Sequence, residues 1–216
     1  ARAKPISIAL ILILGLSLLA WREISRWPDG KLHITFLDVG QGDSALIITP
    51  KGKRILIDGG PDWSALEGIG DALPFIDRHI DIVSLSHPHL DHLASLPEVL
   101  RRVPVSSVLF SGTPYSLGQY QALLDEIRTR RIAVLGPDAR EVLVESGVLL
   151  TVLWPPAQTY GAEVKNVNDA SMTLMLSYHG KRVLFGGDME AGVERELLRL
   201  GTDLKADILK VPHHGS

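Results

Sequence analysis

The chain has no cysteine, which excludes disulfides and thiolate metal ligands and leaves imidazole and carboxylate as the donors for any ion it holds. An excess of positive charge is also missing. Twenty-two Lys and Arg face 25 Asp and Glu, for a formal net charge of −3. No general cationic field is therefore available to a polyanion, and any nucleic-acid contact must be local. Aromatic residues are sparse at 6%. No internal repeat is present, and the only compositionally biased tract is one apolar run near the N-terminus. Against these absences, 45% hydrophobic and 22% charged residues over 216 positions describe a folded protein with room for a substantial core.

The apolar run, residues 5–21 (PISIALILILGLSLLAW), contains no charge. As a helix it would be roughly 26 Å long, slightly short of a ~30 Å hydrocarbon layer. Pro5 suits a first helical turn, and Trp21 and Trp27 suit a membrane interface. Residues 1–24 therefore read as a transmembrane helix. A signal sequence and a buried core helix are the competing readings. The signal reading lacks an initiating Met and a small-x-small cleavage site. Arg2 and Lys4 on one side balance Arg22 and Arg26 on the other, so charge gives no orientation. Residues 25–31 (SRWPDGK) form a linker with a Pro-Asp-Gly turn signal, and one domain is expected over 32–216. The chain opens on Ala1 and stops after a His-His pair, and both ends read as cuts in a longer protein.

Within the domain, residues 32–37 alternate as a strand. Residues 44–49 and 54–57 read as two more strands, joined at Pro50-Lys51-Gly52. A helix is expected over 67–79 with a break at Pro74, a buried strand over 82–85, a helix over 92–103 and a strand over 105–110. An amphipathic helix over 117–130 ends in basic residues that suit a helix C-terminus. Short strands follow at 132–135, 141–144 and 148–153, then a hairpin over 171–185, a helix over 190–200 and a strand over 207–211. This order suits two sheets packed face to face with helices outside them.

The chemistry concentrates after the strand at 82–85. In Ser86-His87-Pro88-His89-Leu90-Asp91-His92, three of the chain's eight histidines and one aspartate occupy six positions. Residues i and i+2 of an extended segment point the same way, so His87 and His89 face one point. Pro88 stiffens the step between them. Asp91 and His92 follow the bend and address a second point. A polar loop capping a helix is the plain alternative. Three later segments can complete a metal site. Phe185-Gly186-Gly187-Asp188 ends a strand on two glycines that permit a sharp turn; Asp188 is a ligand candidate or an N-cap. Pro212-His213-His214-Gly215 ends another strand. Asn166-Val167-Asn168-Asp169-Ala170-Ser171 supplies amides, a carboxylate and a hydroxyl, though alone it is a turn. Asp38-Val39-Gly40-Gln41-Gly42-Asp43-Ser44 holds more polar groups than a hairpin needs and is expected to line the site. Asp58-Gly59-Gly60 reads as structural, with Asp58 a candidate partner for a histidine. His33, His79 and His179 read as bland.

Together these residues resemble the metallo-β-lactamase fold of metallohydrolases. Three strings resemble more narrowly the C-terminal domain of the ComEC-type competence proteins, membrane channels for DNA uptake: Phe36-Leu37-Asp38-Val39-Gly40-Gln41-Gly42-Asp43-Ser44, Asn168-Asp169-Ala170-Ser171, and Leu209-Lys210-Val211-Pro212-His213-His214-Gly215-Ser216. The resemblance begins near residue 32, and the apolar helix before it fits that channel's last membrane helix. It implies an α/β fold, an αββα four-layer sandwich, holding two divalent metal ions, Zn or Mn. His87 and His89 would hold the first, Asp91 and His92 the second, Asp188 would bridge, and His213 or His214 would complete the second. Many members carry a histidine near 168, where this chain has Asn168 and Asp169, as competence-type domains do; this implies either a weakly bound first metal or Asp169 as the substitute ligand.

The implied activity is a phosphodiesterase that degrades one DNA strand during uptake, with single-stranded DNA, the membrane and other DNA-uptake proteins as partners. The implied place is the plasma membrane, in a multi-pass protein with this domain on the extracytoplasmic face. Asp91 belongs to both the metal and the catalytic set. Asn168 and Ser171 would donate hydrogen bonds to a phosphate, and Lys210 would neutralise one of its oxygens or serve as a surface cation. Lys51, Lys53, Arg54, Lys181 and Arg182 track a DNA backbone or are ordinary solvated turns. Hydrolysis of another ester or lactam by a membrane-tethered enzyme, and a non-catalytic DNA-binding or gating domain, are the alternative functions.

Overall fold

A computed structural model describes residues 5–138 and 140–215. Six strands form the first sheet in chain order: β1 (His33–Phe36), β2 (Ala45–Ile48), β3 (Arg54–Ile57), β4 (Ile80–Ser84), β5 (Val105–Leu109) and β6 (Ala133–Leu135). Its first two pairings are antiparallel and the rest parallel. The second sheet contains β7 (Glu141–Glu145), β8 (Val148–Trp154), β9 (Thr173–Tyr178), β10 (Lys181–Phe185) and β11 (Ile208–Lys210), in the order β11-β10-β9-β8-β7. Only its β10–β11 pair is parallel.

The two-residue period of the strands sorts their side chains between two cores. Ala45, Ile47, Ile55, Ile57 and Ile82 join Leu150, Leu174, Val183 and Phe185 between the sheets. Their neighbours Leu46, Leu56 and Val83 face the other way, into a core roofed by helices. β3 and β4 are buried along their whole length, which explains the near-continuous apolar run in β4. The roof consists of α2 (Ser64–Ala72), α3 (Leu90–Leu93), α4 (Leu96–Arg102) and α5 (Gly118–Arg130). α6 (Ala191–Arg199) covers the second sheet, where Val193 and Leu197 pack with Leu153 and Trp154. The order is helix, sheet, sheet, helix, as expected.

Two helices differ from the sequence reading. α2 begins at Ser64 and has ended by Leu73, short of the expected residue 79, so the break expected at Pro74 ends the helix outright. The helix expected over 92–103 is divided at Ala94-Ser95. Pro97 has no N–H to offer the Leu93 carbonyl, and Ser95 Oγ instead donates to Gly59 O at 2.6 Å.

An α-helix, α1 (Pro5–Ile24), precedes the domain. Its Leu and Ile side chains from Ile8 to Leu19 are exposed. Even so, among the described residues no helix is long and apolar enough to cross a membrane, and the span expected over 1–24 is not shown. The uncharged stretch ends at Trp21, and Arg22 and Glu23 in the last turn are engaged by the domain. Arg22 pairs with Asp71 at 3.2 Å, and Glu23 Oε2 accepts the Phe75 N–H at 2.7 Å. Residues 1–4, with Arg2 and Lys4, lie outside the described residues.

Candidate metal centre

The site lies where the ends of β4, β10 and β11 meet. After β4 the chain stays extended through His89, whose φ and ψ are −74° and 150°. His87 Nε2 and His89 Nδ1 consequently lie 3.0 Å apart, facing one point. His89 is then the N-cap of α3, which carries Asp91 and His92. The second sheet supplies the rest. Gly187 has φ +54°, and a Cβ there would come within 2.9 Å of the Ser86 Cβ and 3.1 Å of the Ser171 Cβ. Only glycine permits that approach, and it delivers Asp188 almost fully buried. Asp188 Oδ1 lies 3.2 Å from His92 Nε2, and Asp188 Oδ2 lies 3.7 Å from both His87 Nε2 and His214 Nε2. The N-cap of α6 is Glu190, so Asp188 is not that helix's cap.

His213 and His214 both adopt positive φ, 47° and 52°. This tight turn sends His214 back to the site, with its Nε2 3.2 Å from Asp91 Oδ2. His213 N–H donates to Gly187 O at 3.3 Å. Donor atoms of His87, His92 and Asp188 lie within 4.8 Å of one another, and so do those of Asp91, His92 and His214. Of the pair, His214 is the one whose ring nitrogen joins such a group.

Two buried atoms test whether a cation fits. Among the described residues His92 Nε2 and Asp188 Oδ1, which face each other, have no hydrogen-bond partner, although buried polar atoms are normally satisfied. A divalent ion would satisfy both, and the nitrogen and oxygen donors suit zinc or manganese.

Asp58 sets the histidine's tautomer. It is buried, has φ +60° and accepts the Ser86 N–H at 2.7 Å. Its other oxygen lies 2.9 Å from His92 Nδ1. A carboxylate can only accept, so Nδ1 carries the proton and Nε2 turns toward Asp188. Burial raises Asp58. Burial alone would lower His92, but Asp58 and Asp188 outweigh it and push the imidazole up to about 10. Burial, reinforced by His92, drives His87 down to about 2. Burial would raise Asp188, yet the surrounding imidazoles hold its carboxyl well below the usual range.

Other expected residues have more particular placements. Ser171 is buried, and its Oγ accepts the Asp188 N–H at 3.1 Å. Asn168 is buried, its Nδ2 donating to Glu190 Oε1 at 3.3 Å while its Oδ1 has no hydrogen-bond partner. Asp169 offers its backbone carbonyl to Trp154 Nε1–H at 2.6 Å. Lys210 Nζ is 2.6 Å from the Asp43 carboxylate, so it ties the loop before β2 to β11. That loop lies behind the histidines. A Cβ on Gly42 would stand 2.0 Å from Asp91 O, and Asp43 N–H donates to the same carbonyl at 3.2 Å.

Of the basic residues weighed as a DNA track, Lys53 pairs with Asp81, Arg54 is buried against Asp77, and Lys181 and Arg182 pair with Asp207 and Asp203. His33 pairs with Asp29, His79 meets Ser106, and His179 sits at the β9–β10 turn. Glu190 was not singled out by the sequence. Its only signal is that it stands two residues after Asp188.

A family model described as the metallo-beta-lactamase superfamily matches residues 37–216. The chain belongs to the metallo-β-lactamase superfamily. Members are metal-dependent hydrolases, and the convergent donor set agrees with divalent-metal binding. This superfamily chain is 26% identical over 201 residues to ComE operon protein 3 of Bacillus subtilis (strain 168), covering 85% of this chain and 25% of that protein. It is 29% identical to the uncharacterized protein YcaI of Escherichia coli (strain K12), covering 94% and 25%. Endoribonuclease YSH1 of Yarrowia lipolytica is 32% identical over 78% of this chain and 22% of its own length. The chain therefore spans about a quarter of the curated relatives it matches. A solved metallo-β-lactamase of Cronobacter sakazakii with a HARLDQ motif superposes with TM-score 0.52 at 16% identity, over 82% of this chain and 76% of that one, and shows the shared fold.

Proposed function

We propose that this chain is the metal-dependent phosphodiesterase domain of a DNA-uptake protein and cuts single-stranded DNA. The observation that carries the reading is the convergence of His87, Asp91 and His92 from the first sheet with Asp188 and His214 from the second, around buried polar atoms that lack partners. The similarity to ComE operon protein 3 over most of the chain supports the DNA-uptake setting.

His87 and His89 would hold one ion, Asp91, His92 and His214 the other, and Asp188 would reach both. Two such ions, when bound, acidify a shared water and neutralise charge developing on a phosphate. The chain's own groups do the rest. Asp58 keeps the His92 lone pair directed outward. Ser171 fixes the Asp188 backbone, which makes it a positioning residue. The second N–H of the buried Asn168 amide, whose Nδ2 also donates to Glu190, would orient a substrate oxygen. Lys210 contributes by holding the loop before β2 in place through Asp43.

The same proposal seats α1 in the plasma membrane, as one helix of a multi-pass protein that works with other DNA-uptake proteins, with this domain on the extracytoplasmic face. Supporting it, Phe75 and Ile76 are 70% and 80% exposed beside the polar end of α1, where Glu23 holds the Phe75 N–H. Apolar side chains at that level suit a lipid interface.

The experiment is incubation of the 216-residue chain with single-stranded DNA and Mn²⁺ or Zn²⁺. Cleavage is expected, and the double substitution Asp91→Ala/His92→Ala should lower it by at least about 100-fold, since each removes a ligand. Cleavage unchanged in that variant removes the proposal. Similarity to an endoribonuclease favours RNA as the second substrate to compare.

A further inference from the structure

Beside the metal centre lies an open cavity of about 720 Å³. Among the described residues no charged side chain lines it; its walls include Phe110, Tyr115, Tyr120 and Tyr160, in a chain with only four tyrosines and four phenylalanines. Tyr115 is the wall shared with the metal centre. Its ring meets that of His89 edge-on, with centroids 5.9 Å apart. Tyr160 is 47% exposed, yet its ring has a fixed seat. A Cβ on Gly112, where φ is +70°, or on Gly136 would come within 2.9 Å of that ring. Two glycines at the ends of neighbouring strands thus let the Tyr160 ring approach the backbone closely. Gly161 N–H, next along the chain, donates to Ser111 O at 2.9 Å and fixes the segment. The floor is firm as well, because Phe110 and the buried Tyr120 contact edge to face, 6.5 Å apart.

We propose that this cavity takes an unpaired nucleobase of a single strand, stacked on Tyr160, while the adjoining phosphate reaches the metals past Tyr115 and His89. An uncharged aromatic slot suits the flat apolar face of a base and offers nothing to a phosphate, whereas the metal centre does the reverse. The two compartments abut, as base and phosphate do in one nucleotide. Stacking on aromatic rings accepts any base, so the slot confers a preference for single strands and not for sequence. The inference rests on the phosphodiesterase reading for its geometry, but base binding is measured separately from cleavage.

The test compares a short oligothymidylate with an abasic strand of the same length, by equilibrium fluorescence polarisation with the full chain and Mn²⁺. The base-bearing strand should bind about 10-fold tighter. Tyr160→Ala should erase that difference and Tyr160→Phe should keep it, with the affinity for the abasic strand unchanged in both. In cleavage, Tyr160→Ala should raise KM on the base-bearing strand and leave kcat unaltered. Equal binding of the two strands by the unsubstituted chain overturns the proposal without reference to any variant, and so does an equal loss on both strands in Tyr160→Ala. Base-selective binding with no cleavage of either strand would instead sink the hydrolase reading and leave the slot standing. An oligouridylate arm separates DNA from RNA as the source of the base.

Discussion

At the scale of single residues, Asp58 shows how much of the centre is settled behind the ligands. Asp58→Asn removes the charge that keeps the His92 proton on Nδ1. Metal affinity is expected to fall about 10- to 100-fold with the fold intact, as read by competition with a chelator dye. The histidines also give the metal-stripped protein a two-sided pH dependence. His87 is held near 2 when folded against 6.5 when free, so its contribution is present above pH 6.5 and is lost as the pH falls toward 2. His92 is held near 10, so its contribution is present below pH 6.5 and is lost as the pH rises toward 10. Thermal melts in chelator should therefore peak near pH 6.5, and His92→Gln should flatten the alkaline side. A melting temperature that rises steadily through pH 9 would contradict this. The pairing of His87 with His89 was legible in the sequence because an extended backbone repeats every two residues. The choice between His213 and His214 was not, since it depends on two consecutive positive φ angles. Nor was the partner of Lys210 legible, because Asp43 lies 167 residues away.

At the scale of elements, strands were readable almost to the residue where apolar runs end on glycine, proline or paired charges, as at β3 and β10. The division between α3 and α4 was hidden. Their combined apolar pattern continues as one helix, and the bond that rewards the break, from Ser95 to Gly59 O, is tertiary. The loop before β2 was expected to line the site; its Asp43 carboxylate shares a donor group with Asp58 and His92, and its Gly42 packs against the Asp91 carbonyl. Gly42→Ala would place a methyl 2.0 Å from Asp91 O at φ +102°, whereas Gly40→Ala, at φ +70°, meets nothing within 4 Å. Gly40→Ala carries backbone strain alone, about 1 kcal/mol. Gly42→Ala should cost about 1–3 kcal/mol more through overpacking, and it should also weaken metal binding by displacing Asp91. Urea denaturation of the two variants checks the difference, and equal midpoints would show that the loop yields.

At the scale of the whole molecule, the centre joins the two sheets, with His87, Asp91 and His92 from one side and Asp188 and His214 from the other. A bound ion therefore acts as a clamp across the sandwich. At 100-fold excess over Kd, each ion stabilises the folded state by about 2.7 kcal/mol. For a domain of this size that corresponds to roughly 5–10 °C in melting temperature per ion. Calorimetry with and without chelator should show the difference, and Asp188→Ala, which removes the group shared between the ions, should abolish most of it. The division of the centre between sheets also has a consequence in time. His214 lies 123 residues after Asp91, and a ribosome adding about 5–20 residues per second needs about 6–25 s to cover that interval. For the interval's first 97 residues the nascent chain displays His87, His89 and His92 without Asp188, and for all of it without His214. Birth order alone keeps the donor set incomplete until the second sheet has been made.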